Sequence, residues 1–176
     1  MNKTDDNRYH LFVLRHGKAS DGVIDRDYER PLNDTGIEQA EKIADWLIYH
    51  NIQPDIVLTS PAKRTLMTTE IVTKKLKIES QKIRILSQIY QANLDTLLKA
   101  ITSCPTQHRT LLLIAHNPGL EDLVDYLLSP SLTNTLENDY RIFPATLIKL
   151  ELNVDWFHLA KSCAQSVAIT HGKFLP

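Results

Sequence analysis

Arg15-His16-Gly17-Lys18-Ala19 follows directly on the apolar run Leu11-Phe12-Val13-Leu14, so a guanidinium and an imidazole emerge together where a strand ends. Much further along, Leu111 to Ala115 runs straight into His116-Asn117-Pro118-Gly119 and delivers a second imidazole in the same context. The carboxyl ends of strands are where α/β proteins keep their chemistry. A further cation comes from Ser60-Pro61-Ala62-Lys63-Arg64, where Ser60 as cap and Pro61 at the first position open a helix with Arg64 in its first turn. The helix macrodipole disfavours a cation there by roughly 0.3 to 1 kcal/mol, a sign that a nearby anion would reverse. Helices starting at Ser60 and Asn117 also offer unpaired N–H groups of the kind that bind phosphate and carboxylate. Together these strand ends read as an oxyanion site, and their histidines and arginines suggest an enzyme.

An imidazole in such a site could serve as nucleophile, as base or as a neutral hydrogen-bond donor. Attack on phosphorus fits best, because guanidinium groups can neutralise the equatorial oxygens of a transferring phosphoryl group while the ring nitrogen approaches in line. The seven histidines lack the H-x-H, H-x-x-x-H or carboxylate-paired spacing of metallohydrolases, so the sequence implies no metal and no cofactor. His10, His50, His108, His158 and His171 have no comparable context and read as structural or exposed. Lys18 could add positive potential at the mouth of the site, and Arg30, taken alone, reads as a solvated loop charge.

The elements that must position these groups follow from periodicity. Strand-like runs at 10–14, 55–59, 110–115 and 146–152 alternate with longer helical patterns. That alternation predicts an α/β three-layer sandwich, a mostly parallel central sheet with helices on both faces. The first helix is expected from Thr35, where Thr35-Gly36-Ile37-Glu38 resembles a capping box. The second should bury Leu66, Met67, Ile71, Val72 and Leu76, a third runs from about Asn93 to Ser103, and a fourth is capped by Asn117. Residues 129–142 read as a surface loop, Trp156 to Leu159 as a short edge strand, and the tail from Lys161 shows no firm pattern.

Composition narrows the function. At 176 residues and 43% hydrophobic, the chain fits one domain over 1–176 with its core at about 10–152. With 20 basic and 21 acidic side chains it has no broad positive field for nucleic acid or an anionic membrane, so phosphate affinity must be local. No signal-peptide or membrane-spanning pattern is evident, which points to the cytoplasm. Cys104 and Cys163 read as buried or idle thiols.

The residues resemble the histidine phosphatase superfamily, a phosphoglycerate mutase-like family, and within it the small SixA-type phosphohistidine phosphatases. The resemblance rests on Leu14 to Ala19, on Arg30-Pro31-Leu32-Asn33 with Thr35-Gly36, on Thr59 to Thr65, and on His116 to Glu121, in that order. It implies that His16 is the phosphorylated nucleophile and that Arg15, Arg64 and His116 surround the phosphate. Arg30 would be a further oxyanion ligand. Many relatives carry a glutamate that protonates the leaving alkoxide, but Leu86 to Asn93, the corresponding stretch, contains no carboxylate. A placed acid is worth roughly 10²- to 10⁴-fold for an alkoxide. The imidazole of phosphohistidine needs less help, so that substrate on a partner protein is favoured. Asp21, Asp25, Asp27, Glu29 or Glu121 could still reach in and supply an acid for a small phosphate ester. A non-catalytic phosphate-binding module is the remaining alternative, whereas a nucleotide-binding protein would need G-x-G-x-x-G or a P-loop, and the chain has neither.

Overall fold

The computed structural model describes residues 8–21, 24–134, 136 and 141–176. Six strands form one sheet in the order β3-β2-β4-β1-β5-β6. They are β1 (Tyr9–Arg15), β2 (Ile56–Thr59), β3 (Ile83–Ile85), β4 (Thr110–Ala115), β5 (Thr146–Leu152) and β6 (Ala164–His171). The pairs β1–β4, β2–β4 and β2–β3 are parallel, whereas β1–β5 and β5–β6 are antiparallel. The main helices are α1 (Asp34–Tyr49), α2 (Lys63–Lys75), α3 (Leu94–Thr102) and α4 (Gly119–Leu127). This is the expected α/β sandwich.

Side-chain alternation along the central strands builds the layers. Phe12 and Leu14 on β1 pack with Ile43 and Leu47 of α1 and Val72 of α2. Leu11 and Val13 turn to the other face, where Leu97 and Ile101 of α3 and Leu120 and Leu123 of α4 cover them. Strands buried on both faces read as continuous apolar runs, which is why β1 and β4 were legible. Register then levels the strand ends: Arg15 pairs with Ala115, and Thr59 with Ile114. His16, Ser60 and His116 therefore leave the sheet side by side.

Several local expectations differ from the structure. The first helix is capped by Asn33, whose Oδ1 accepts from the Gly36 N–H at 2.9 Å, and starts before Thr35. Ser60 and Asn117 do not cap their helices: α2 follows Ala62 and α4 follows Pro118, neither with a side-chain cap. The Asn117 amide is spent elsewhere, as described below. On α2 the buried face is Thr65, Thr68, Thr69, Val72 and Thr73, while Leu66, Met67 and Ile71 are only half-buried. Thr68, Thr69 and Thr73 satisfy their hydroxyls on the carbonyl four residues back, which lets a polar stripe lie against the sheet. Trp156–His158 is a single 3₁₀ turn, not a strand, and the tail forms the edge strand β6. Within 129–142, Pro130–Thr133 is a helical turn, and residues 135 and 137–140 lie outside the described residues. Both cysteines are buried free thiols.

The loop after β1 and the first turn of α1 touch backbone to backbone. A Cβ on Gly17 would lie 2.4 Å from the Gly36 carbonyl oxygen, and one on Gly36 would lie 2.1 Å from that of Lys18. Only hydrogen fits at either place. Gly36→Ala is expected to cost about 1–3 kcal/mol through overpacking. Urea unfolding checks this, and an unchanged midpoint would mean that the two segments part freely.

Candidate active site

Arg64, at the second position of α2, is 6% exposed and occupies the centre of the site. Its Nε donates to His16 Nε2 at 3.2 Å, and its Nη2 lies 3.3 Å from His116 Nδ1. The same guanidinium donates from Nη1 to the Asp27 carbonyl at 2.6 Å and from Nη2 to Asp27 Oδ2 at 2.9 Å. Asp27 is thus the anion that reverses the unfavourable macrodipole term at this helix start. Arg30 Nη1 donates to Asp27 Oδ1 at 3.0 Å, and Tyr90 Oη to Oδ2 at 3.1 Å. One carboxylate therefore gathers two guanidinium groups and a phenol.

These contacts assign the tautomers. His16 Nδ1 lies 2.8 Å from the Gly17 carbonyl, which can only accept, so Nδ1 carries the proton and Nε2 keeps its lone pair. In His116, Nδ1 accepts from Arg64, so Nε2 carries the proton and donates to Ser60 Oγ at 2.8 Å. Burial, together with the cations around them, holds both rings neutral: His16 is lowered to about 4 and His116 to about 3. Burial also lowers the Arg15 pKa. For Asp27, burial pulls upward, but the hydrogen bond and charge of Arg64 outweigh it with help from Tyr90 and Arg30, and the net shift is downward. The Tyr90 phenol is raised by burial and by Asp27.

Arg15, His16, Lys18, Asp27, Arg30, Arg64, His116 and Asn117 line a common pocket of about 470 Å³. All five residues predicted for the site (Arg15, His16, Arg30, Arg64 and His116) are brought together. Arg15 reaches its wall while donating from Nη1 to the Ile142 carbonyl at 2.8 Å. Among the candidate acids, Asp27 and Asp21 line the pocket and Glu29 and Glu121 do not. Glu121 accepts from Asn117 Nδ2 at 2.7 Å and from the Ile142 N–H, and the side chain of Asp25 lies outside the described residues. Tyr90, Gln91 and Pro144 were not foreseen, because no spacing in the sequence links them to the strand ends. Ser60, expected at the second strand end as a helix cap, enters through its hydroxyl on His116. Among the described residues, no group of three or more His, Cys, Asp and Glu side chains is placed to hold a metal, and no helix is long and apolar enough to cross a membrane.

Residues 11–103, just over half of the chain, match the profile of the histidine phosphatase superfamily, branch 1. The chain belongs to the histidine phosphatase superfamily. It is 32% identical over 164 residues to an uncharacterized Mycobacterium leprae protein, covering 88% of this chain and 97% of that one. It is 29% identical to the phosphohistidine phosphatase SixA of Escherichia coli K12, over 68% of this chain and 71% of that protein. A solved structure assigned as a phosphohistidine phosphatase SixA from Nakamurella multipartitia superposes with a TM-score of 0.76 at 26% identity, covering 93% and 96% of the two chains. Of two other curated relatives the chain spans only 34% and 28% of their length.

The depressed histidines carry a signed expectation. A fold that favours neutral imidazole draws stability that is fully present above the unfolded value near 6.5 and is lost as pH falls through about 4 for His16 and about 3 for His116. Imidazole NMR titration should place both midpoints below 5, with thermal stability falling from about pH 6.5 down to about pH 3. A midpoint near 6.5 for His16 would show that the ring is solvated.

Proposed function

We propose that this protein is a phosphohistidine phosphatase working through a phosphorylated His16, without metal or cofactor. The observation that carries the reading is the hydrogen-bond pattern of the pocket: His16 has its Nδ1 on the Gly17 carbonyl and its Nε2 lone pair turned to Arg64, beside the Asp27 carboxylate bound by Arg64 and Arg30. The Nε2 lone pair forms the new bond to phosphorus as the bond to the leaving group breaks and that group takes the electron pair. Arg15, Arg30 and Arg64 hold the phosphoryl oxygens. His116 joins them as the tautomer protonated on Nδ1: the ring loses its Nε2 proton to water and gains one from water at Nδ1, and the Ser60 hydroxyl then donates to Nε2 in place of accepting from it. Water then hydrolyses the phosphoenzyme.

Asp27 favours a nitrogen leaving group over an alkoxide. Its lowered pKa makes it a poor proton donor at neutral pH, and the Tyr90 phenol, a weak acid with its pKa raised, gives its hydrogen bond to Asp27. An alkoxide would leave without a proton. The ring of phosphohistidine brings its own proton on the second nitrogen, and a carboxylate that accepts this N–H keeps the ring in the form that departs as neutral imidazole. Asp27 lies on the solvent side of Arg64, its side chain 28% exposed against 7%, where an incoming side chain would meet it. The SixA proteins similar to this chain in sequence and fold support the same substrate, a phosphorylated protein histidine, and a soluble cytoplasmic setting accords with it. The second reading, hydrolysis of a small phosphate ester, would draw on Asp21 as the acid, the other carboxylate that lines the pocket among the described residues.

Phosphate release from phosphohistidine protein and from p-nitrophenyl phosphate, both in EDTA, separates these readings. Release from phosphohistidine should exceed release from the ester and vanish in His16→Ala. Asp27→Asn should lower phosphohistidine turnover by about ten- to a hundredfold, the worth of one charge-assisted hydrogen bond, and change ester turnover much less. Faster ester than phosphohistidine turnover would favour the ester phosphatase, and no turnover of either would leave a binding module.

A further inference from the structure

Beside the catalytic pocket runs a second groove of about 480 Å³, and the two share Lys18 and Pro144 as a common wall. Backbone ties fix this wall to the nucleophile's strand. The Ala145 N–H, directly after Phe143 and Pro144, donates to the carbonyls of Arg15 and His16 at 3.1 and 3.0 Å. The floor is equally fixed, by Thr146 Oγ1 bonded to His171 Nδ1 at 2.8 Å and by the Gly172 N–H donating to the Ala145 carbonyl at 2.9 Å.

The lining has a definite chemistry. Phe143 and Phe174 are 56% and 75% exposed, with the His171 ring between them at 6.3 and 5.8 Å. Lys173 Nζ stands 5.5 Å from the Phe174 ring centre. Among the described residues, Lys18 and Lys173 are the charged residues of the groove, no carboxylate lines it, and neither lysine has an ion pair. Two rings exposed side by side with two cations, on a protein of net charge −1, make a local seat that is apolar and positive at once. Its volume is that of a site that binds a few side chains.

We propose that this groove docks the polypeptide flanking the phosphorylated histidine of a partner protein, and that it selects flanks carrying acidic and apolar side chains. The inference rests on the phosphohistidine reading above, because it needs a protein substrate. With the phosphorylated ring in the catalytic pocket, the chain on one side of it crosses the Lys18–Pro144 wall into the groove. Acidic side chains then meet Lys18 and Lys173, and an apolar one lies across Phe143 and Phe174. Two lysines give no sustained track for a nucleic acid, whose binding grows with the number of phosphates neutralised. A peptide segment needs only these few contacts.

The test compares kcat/KM for free phosphohistidine and for two phosphohistidine peptides, one flanked by Glu and Leu and one by Lys and Ser, with the native protein, Lys173→Glu and Phe174→Ala. Native protein should prefer the acidic, apolar peptide to the basic one by about tenfold or more, the effect of one or two well-placed contacts, expressed mainly in KM. Both variants should lose most of that preference and keep their turnover of free phosphohistidine. Equal turnover of the two peptides by the native protein, or a preference that survives in both variants, overturns the docking proposal and leaves the phosphohistidine reading standing. Turnover of p-nitrophenyl phosphate with none of any phosphohistidine substrate overturns both.

Discussion

The site depends on one buried cation. Arg64 has almost no contact with solvent, and an unpaired guanidinium in that position would cost several kcal/mol. Two neutral imidazoles and the Asp27 carboxylate and carbonyl take its donors, so the charge is met by one full anion and by dipoles. The same cation helps to keep the imidazoles neutral, which leaves His16 with the lone pair that a nucleophile needs. Burial, charge balance and reactivity are here a single arrangement. Changing any member changes the protonation of the others.

That arrangement exists because parallel pairing puts the ends of β1, β2 and β4 at one level. The threonine face of α2 then holds the helix close. Thr68 Oγ1 accepts the Gly17 N–H at 3.1 Å, while Thr69 Oγ1 lies 2.8 Å from Thr59 Oγ1. An aliphatic stripe would pack against the sheet but would leave the Gly17 N–H without an acceptor. The hydroxyls tie the loop that carries His16 to the helix that carries Arg64.

Legibility in the sequence followed the reach of each interaction. Central strands, buried on both faces, showed themselves as unbroken apolar runs, and the residues that leave their ends could be named in advance. The edge strand β6 alternates weakly, with half-buried positions on both sides, and no period distinguishes it from a tail. The helix starts were misplaced because Ser60 and Asn117, good caps by type, are held by other partners: the Ser60 hydroxyl by His116, and the Asn117 amide through its Nδ2 donors by Glu121 and the Ile142 carbonyl, with Oδ1 accepting from no helix N–H. Asp27 was one of five acids named for the pocket, with nothing local to single it out. Its choice is made by Arg64, Arg30 and Tyr90, which lie 37, 3 and 63 residues away along the chain.

The contact between Asp27 and Arg64 also bears on how a catalytic cycle ends. On the proposed reading, inorganic phosphate held by Arg64 would compete with a carboxylate tethered to the same protein, whose effective concentration is fixed by the loop and not by the solution. Return of Asp27 to the guanidinium would refill the seat as the anion departs and spare the buried cation a state without a partner. Such an enzyme would carry its own displacing ligand, and accumulated phosphate would have to outbid a competitor that dilution cannot remove.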